Sequence, residues 1–293
     1  MRTITNRRKK SIKNQLDYNN LLTNYILYTM RRSNFYYLSI IIFLFMSITM
    51  RSNGAITVAQ QYYEIRIYHI SQKSQEDRID AFLKDAYLPA LHRAGIPTVG
   101  VFKPIETDTA FGKLIYVFIP LKTVDQYLGI DDKLKNDEAY QVSGKNFLDA
   151  AFNDPSFKRY ESILLKAFSF MPEFRVPSYK NAPAERIYEL RSYESATEAK
   201  ADKKIQMFNE GGEIKLFESI GANAVFYGEV LFGSLKPRLM YMTTYSDMKS
   251  HDDHWVTFRA SDGWKKLSGM EEYKNAVSKA NPYLLHPTSY SDF

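Results

Sequence analysis

Two six-residue runs, Tyr63-Glu64-Ile65-Arg66-Ile67-Tyr68 and Tyr188-Glu189-Leu190-Arg191-Ser192-Tyr193, hold the side chains best suited to chemistry. In an extended strand, residues two apart share a face, so each run aligns a carboxylate, a guanidinium and a phenol. Arginine stays charged and grips carboxylate or enolate oxygens through a planar fork, while a glutamate or tyrosine can exchange a proton. Glu64, Arg66, Glu189 and Arg191 are therefore the candidate catalytic residues. Tyr68, Tyr116, Tyr193 and Tyr241 are the candidate ligand-binding residues. Ions removed from water must be paired or wetted by a cavity. The row is thus either a structural network fixing register between sheets or the lining of a small-molecule pocket.

Other polar residues give weaker signals. His251 and His254 form an i, i+3 pair beside Asp252 and Asp253, a spacing that can hold a divalent metal, but no third ligand stands nearby and no metal is expected. His69 ends the first run and has no counterpart in the second, where Glu194 follows Tyr193. His92 and His286 read as structural, and Trp255 and Trp264 as packing anchors. The chain contains no phosphate-cradling glycine loop, Gly-x-Ser-x-Gly elbow or dinucleotide fingerprint, and no cofactor is expected.

The two runs lie 125 residues apart, which marks a tandem duplication. In the first copy a strand over 62–68 precedes a helix that Ser74 can cap. Its buried stripe is Ile79, Phe82, Leu83, Ala86, Tyr87, Ala90 and Leu91. Strands follow at 98–104 and 113–118, then a helical region at 124–151 and a strand at 163–170. The second copy repeats the order with strands at 188–193, 224–232, 238–243 and 283–290. Its first helix is weakened by Gly211-Gly212, and a helical region spans 248 to about 277. Tyr116 and Tyr241 also match at the 125-residue offset. Each copy is a β-α-β-β-α-β, ferredoxin-like unit. The expected fold is α+β, with two tandem units forming an intramolecular dimeric α+β barrel: a first domain at 60–174, a linker at 175–184 and a second domain at 185–293. With the apolar faces assigned to the helices, the Glu-Arg-Tyr rows are expected to point into the barrel.

Up to Ala59 there are nine basic residues against one acid, Asp17, which puts +8 on the leader. From a net charge of +6, −2 remains for the body. That body lacks the basic footprint of phosphate binding, so nucleic acid is not an expected partner. The absence of cysteine excludes disulfides and thiolate chemistry. Met30-Arg31-Arg32 followed by an apolar run over 35–50 and small residues reads as a Sec-type signal peptide at about 30–59, cleaved after Ala59, with Gly54 or Ala55 as alternatives. Export to the periplasm or the extracellular space is expected, with residues 1–29 upstream of the true start and no stable membrane span after cleavage. An uncleaved signal anchor is the competing reading. The expected state is monomer or homodimer.

The Tyr-Glu-hydrophobic-Arg-x-Tyr opening, the later Leu-x-Tyr strand and Trp255-Val256-Thr257-Phe258 ahead of Asp262-Gly263-Trp264 resemble the NIPSNAP family. The resemblance is strongest over 186–290. It is looser over 62–174, where Phe147 and Phe157 stand in place of tryptophan and Phe118-Ile119-Pro120 replaces a more polar strand end. It implies a dimeric α+β-barrel fold, related in architecture to small cofactor-independent monooxygenases and haem-degrading enzymes, and leaves the reaction open. The functional expectation is binding of a small anionic or phenolic ligand in the barrel, with an oxygenase or isomerase activity as one reading and a non-catalytic cell-envelope scaffold as the other.

Overall fold

The computed structural model describes residues 58–293 and, as a separate unit, six helical residues between 20 and 29. The expected signal segment up to residue 57 lies outside the described residues. Among those described, no helix is long and apolar enough to cross a membrane.

The first repeat runs β1 (Tyr62–His69), α1 (Lys73–Phe82), a π-helical turn (Leu83–Tyr87), α2 (Leu88–Arg93), β2 (Gly100–Pro104), β3 (Leu114–Leu121), α3 (Val124–Lys135), α4 (Glu138–Leu148) and β4 (Arg159–Ala167). The second runs β5 (Ile187–Glu194), α5 (Glu198–Phe208), α6 (Glu213–Ser219), β6 (Asn223–Phe232), β7 (Arg238–Tyr245), α7 (Met248–Ala260), α8 (Asp262–Ser268) and β8 (Lys279–Pro287). The predicted stripe of α1 and α2 is buried as drawn. Helix α1 starts at Lys73, one residue before Ser74, with no side-chain cap. Gly211 and Gly212 end the helix that runs unbroken in the first repeat. Gly212 has φ of 89°, and a Cβ on Gly211 would meet the Met207 carbonyl at 2.6 Å.

Each repeat forms an antiparallel sheet in the order 4-1-3-2. The pairs β2·β8 and β4·β6 join the sheets into one closed barrel, β1-β3-β2-β8-β5-β7-β6-β4, so neither sheet keeps a free edge. The interior is filled by Tyr63, Ile65, Ile67, Phe102, Phe118, Tyr188, Leu190, Phe226 and the C-terminal Phe293 among others. Helices cover the outside and form a separate apolar layer with each half.

This arrangement corrects two expectations. Because Tyr63, Ile65 and Ile67 occupy the interior, the Glu64-Arg66-Tyr68 row faces the helices, and so does Glu189-Arg191-Tyr193. A packed barrel centre offers an ion no route to water, whereas a long side chain beneath a helix layer can reach solvent between helices. Secondly, the tyrosines of the two third strands are not equivalent. Arg66 pairs with Val117 but Arg191 pairs with Tyr241, an offset of 124 in that strand. One residue of shift reverses the face: Tyr116 lies inside the barrel and Tyr241 lies under the helices.

Phe226 is fully buried, with its ring centroid 5.2 Å from that of Tyr63 and 4.9 Å from that of Phe118. Phe226→Ala is expected to cost about 3–5 kcal/mol through lost burial and the cavity left behind, measured by denaturant unfolding.

A Glu-Arg pair beneath the helices and its cleft

In the second repeat, Glu189 is buried at mid-strand on β5. Its Oε1 accepts a hydrogen bond from Arg191 Nη1 at 2.6 Å, and its Oε2 accepts one from the indole Nε1 of Trp255 on α7 at 2.7 Å. His251, one turn earlier on α7, puts Nε2 3.3 Å from the same Oε2, near enough for an ion pair but out of hydrogen-bond alignment. Its Nδ1 lies 2.9 Å from Asp252 Oδ1. Arg191 Nε donates to the Tyr193 hydroxyl at 3.1 Å, which in turn bonds the Tyr241 hydroxyl at 2.9 Å. The guanidinium stacks on the Trp255 ring at 4.5 Å.

Electrostatics follow from this packing. Burial alone would raise the Glu189 carboxyl, but His251, Arg191 and the Trp255 N–H together hold it below its usual value. Burial would lower the His251 imidazole, yet Glu189 and Asp252 outweigh it and raise the group above its usual value. Burial pushes the hydroxyls of Tyr193 and Tyr241 upward, so both stay protonated donors.

A cleft of about 340 Å³ opens over this network. It is lined by Glu189, Arg191, Pro282 and Leu284 from the barrel wall, His251, Asp252, Trp255 and Arg259 from α7, and Asp108 from the β2–β3 connection of the first repeat. His251, Trp255 and Arg259 recur every four residues and so share one helix face. Among the described residues, Arg191 Nη2 makes no protein hydrogen bond.

The first repeat builds a different version. Arg66 Nε and Ser162 Oγ both donate to Glu64 Oε1, at 3.0 and 2.7 Å, and the Ser162 hydroxyl lies 3.2 Å from that of Tyr127. Arg66 sits between the rings of Tyr87 and Tyr160, 5.2 Å from each centroid. Counting from the helix caps Thr123 and Asp247, Tyr127 stands where His251 stands in the second repeat. The hydroxyls are neutral where the imidazole titrates. Pro282, the β8 partner of Arg191, replaces Ser162, the β4 partner of Arg66.

The remaining sequence candidates separate. His254 turns to the Ser250 and Gly221 carbonyls, away from Glu189, so the histidine pair does not converge. Among the described residues no three His, Asp or Glu side chains group as a metal site would require. His69 pairs with Glu161 at the barrel end, His92 with Asp292, and His286 with the Arg186 carbonyl. Trp264 packs against Phe258, as an anchor should. Sequence reading missed Arg259 and Asp108, and it left His251 out of the candidate site. The four-residue stripe on α7 was the available signal. It also missed a buried ion pair beside the site, in which Lys204 Nζ donates to Glu213 Oε2 at 2.6 Å, 4.6 Å from the Phe208 ring centroid. Lys204 lies 125 residues after the fully buried Ile79.

The architecture defines the class: a duplicated chain closed into a dimeric-type α+β barrel. It resembles a candidate monooxygenase from Lactobacillus acidophilus, with a TM-score of 0.50 and 12% identity over 78% of this chain and 94% of that one. Residues 188–292 match the profile of the NIPSNAP family. A NIPSNAP-like domain protein from Burkholderia xenovorans is 19% identical over 36% of this chain and 89% of its own, with a TM-score of 0.33. A NIPSNAP family protein from Agrobacterium tumefaciens is 18% identical over 36% and 96%, with a TM-score of 0.32. No curated protein matches the chain in sequence.

Opposed shifts at Glu189 and His251 set a stability window. The depressed carboxyl contributes stability above its unfolded value near 4.5, which is lost as pH falls through the folded value. The raised imidazole contributes fully below 6.5, and this is lost as pH rises through the folded value. Unfolding midpoints measured across pH should therefore peak in the mildly acidic range. His251→Gln should flatten the alkaline limb and shrink the acid limb, which Arg191 and Trp255 then sustain alone.

Proposed function

We propose that the second domain binds a small organic acid or phenol in the cleft between β5, β8 and α7, with His251 and Glu189 as the pair able to exchange a proton with it. The observation that carries this reading is the divergence of two duplicated networks. The first repeat surrounds Glu64 with neutral hydroxyls and stacks Arg66 between two tyrosines. The second sets a titratable imidazole against Glu189 and opens a cleft over it. A volume of about 340 Å³ suits a compact ligand. Arg191 Nη2 and the exposed Arg259 supply cationic donors for an oxyanion, and the Trp255 indole supplies an apolar wall. The ligand expected inside the barrel is thereby moved to its outer face. The Glu64-Arg66 pair serves the structural role, holding β1 and β4 to the helices of the first repeat. Export through the signal-like segment at 30–59 is a further part of the proposal and rests on sequence alone.

Native mass spectrometry of protein from its own host tests both parts. The expected spectrum shows a retained small molecule on a chain that begins after residue 50, with retention at least about tenfold weaker in Arg259→Ala, the loss of one charged hydrogen bond. Retention equal in wild type and Arg259→Ala would count against the cleft. A chain beginning before residue 50 would count against cleavage of the signal.

A further inference from the structure

The barrel interior is not uniform along its axis. Phe118, Phe174, Phe226 and Phe293 pack into one region of it. At the end where β1 and β5 finish and β7 and β8 begin, the alternation that points Met240 and Leu190 inward also points Arg238, Ser192 and Glu194 inward. Arg238 is 6% exposed, yet its Nε and Nη2 have no hydrogen-bond partner, and it forms no ion pair among the described residues. Ser192, diagonal to it across the β5·β7 pair, is 1% exposed, and its Oγ is likewise unpartnered.

Two carboxylates lie at this end but are engaged elsewhere. Glu161 Oε1 is 2.7 Å from His69 Nε2, and its Oε2 accepts from Ser234 Oγ at 3.3 Å. Glu194 accepts from Asn281 Nδ2 at 3.1 Å, with Lys279 Nζ at 3.9 Å. Glu194, opposite Arg238 across the β5·β7 pair, spends Oε1 on these contacts; apart from its Oε2, the unused capacity is that of donors: the guanidinium edge, the serine hydroxyl, and the hydroxyls of Tyr116 and Tyr283, whose rings stand 6.0 Å apart. Burial depresses the Arg238 guanidinium, and the influence of Glu161, Tyr283 and Glu194 only partly offsets it. A buried cation without a partner is destabilising, and the acceptor it lacks is planar and anionic, since Nε and Nη2 form the side-on fork that fits a carboxylate. The first repeat has Leu114 where the second has Arg238, while it alone supplies Tyr116, His69 and Glu161. The constellation exists only because both repeats close one barrel.

We propose that this end of the barrel is a second binding site, distinct from the cleft, for a small aromatic carboxylate whose oxygens take the Nε and Nη2 protons of Arg238 while its ring lies beside Tyr116 and Tyr283. Ligands that bind only the native state raise the unfolding midpoint with concentration, so thermal unfolding with benzoate reads the site, with benzamide as the neutral control. Benzoate should stabilise the wild type, and benzamide should not. Arg238→Met should be more stable than the wild type without ligand, since it removes an unpaired charge, and should lose the part of the benzoate response that Arg259→Ala keeps. Arg238→Lys keeps the charge without the fork and should bind about tenfold or more weakly. Arg259→Ala, which disables the cleft, should keep a benzoate response through Arg238, with any contribution of the cleft removed. The proposal is overturned by any of three results: no benzoate response in the wild type, an unchanged response in Arg238→Met and Arg238→Lys, or Arg238→Met less stable than the wild type. A response lost in Arg259→Ala but kept in Arg238→Met would assign benzoate to the cleft and remove it from the barrel.

Discussion

Burying a glutamate and an arginine at the middle of a strand constrains most of what surrounds them. A buried carboxylate stripped of its partner costs several kcal/mol, so each pair must find donors within its own layer. Facing outward resolves this. The carboxylate meets an arginine on its own strand and donors from a neighbouring strand or an overlying helix, while the guanidinium lies along aromatic faces toward the protein's surface. The opposite face of each strand is left to tyrosine and branched aliphatics, which fill the closed barrel. Barrel packing and helix placement are two consequences of the same alternation.

Duplication makes the constraint informative, because the chain meets it by different means in the two repeats, fully at Glu189 and through Oε1 alone at Glu64. The first repeat uses Ser162, Tyr127 and two stacked tyrosines. The second uses Trp255 and His251, puts proline where the serine stood, and breaks the helix at Gly211-Gly212. It also places the Lys204–Glu213 pair near Tyr193, where the first repeat keeps the apolar Ile79 at the position matching Lys204. One version of the scaffold is thus without a titratable imidazole at its glutamate, and the other sets one there beside a cleft.

The repeat, the element order and the buried stripe of α1 and α2 were legible because periodicity of hydrophobic residues is a local signal. The inward or outward sense of Glu64 was not. In β3 nearly every residue from Ile115 to Leu121 is apolar, so both faces look like core and alternation loses its contrast. The pairing of Tyr116 with Tyr241 failed for a related reason: a one-residue change in the connections shifts the repeat offset from 125 to 124, and a period of two turns that into opposite faces. His251 was visible only as part of a weak His-x-x-His signal, since its relevant partners sit four and eight residues on. Arg238 resembles any charged residue opening a strand. Its isolation depends on Glu161 and Glu194 being engaged by residues far away in the chain, which no local pattern records.

The central claim is that the Glu189-Arg191 row is held against the helix layer and not inside the barrel. A double-mutant cycle between Glu189→Gln and Trp255→Phe, read by chemical denaturation, tests it most directly, because the 2.7 Å indole-to-carboxylate bond exists only in that arrangement. A coupling energy of about 1–3 kcal/mol is expected for a hydrogen bond to a buried charge. Additive effects of the two substitutions would place Glu189 elsewhere and contradict the account.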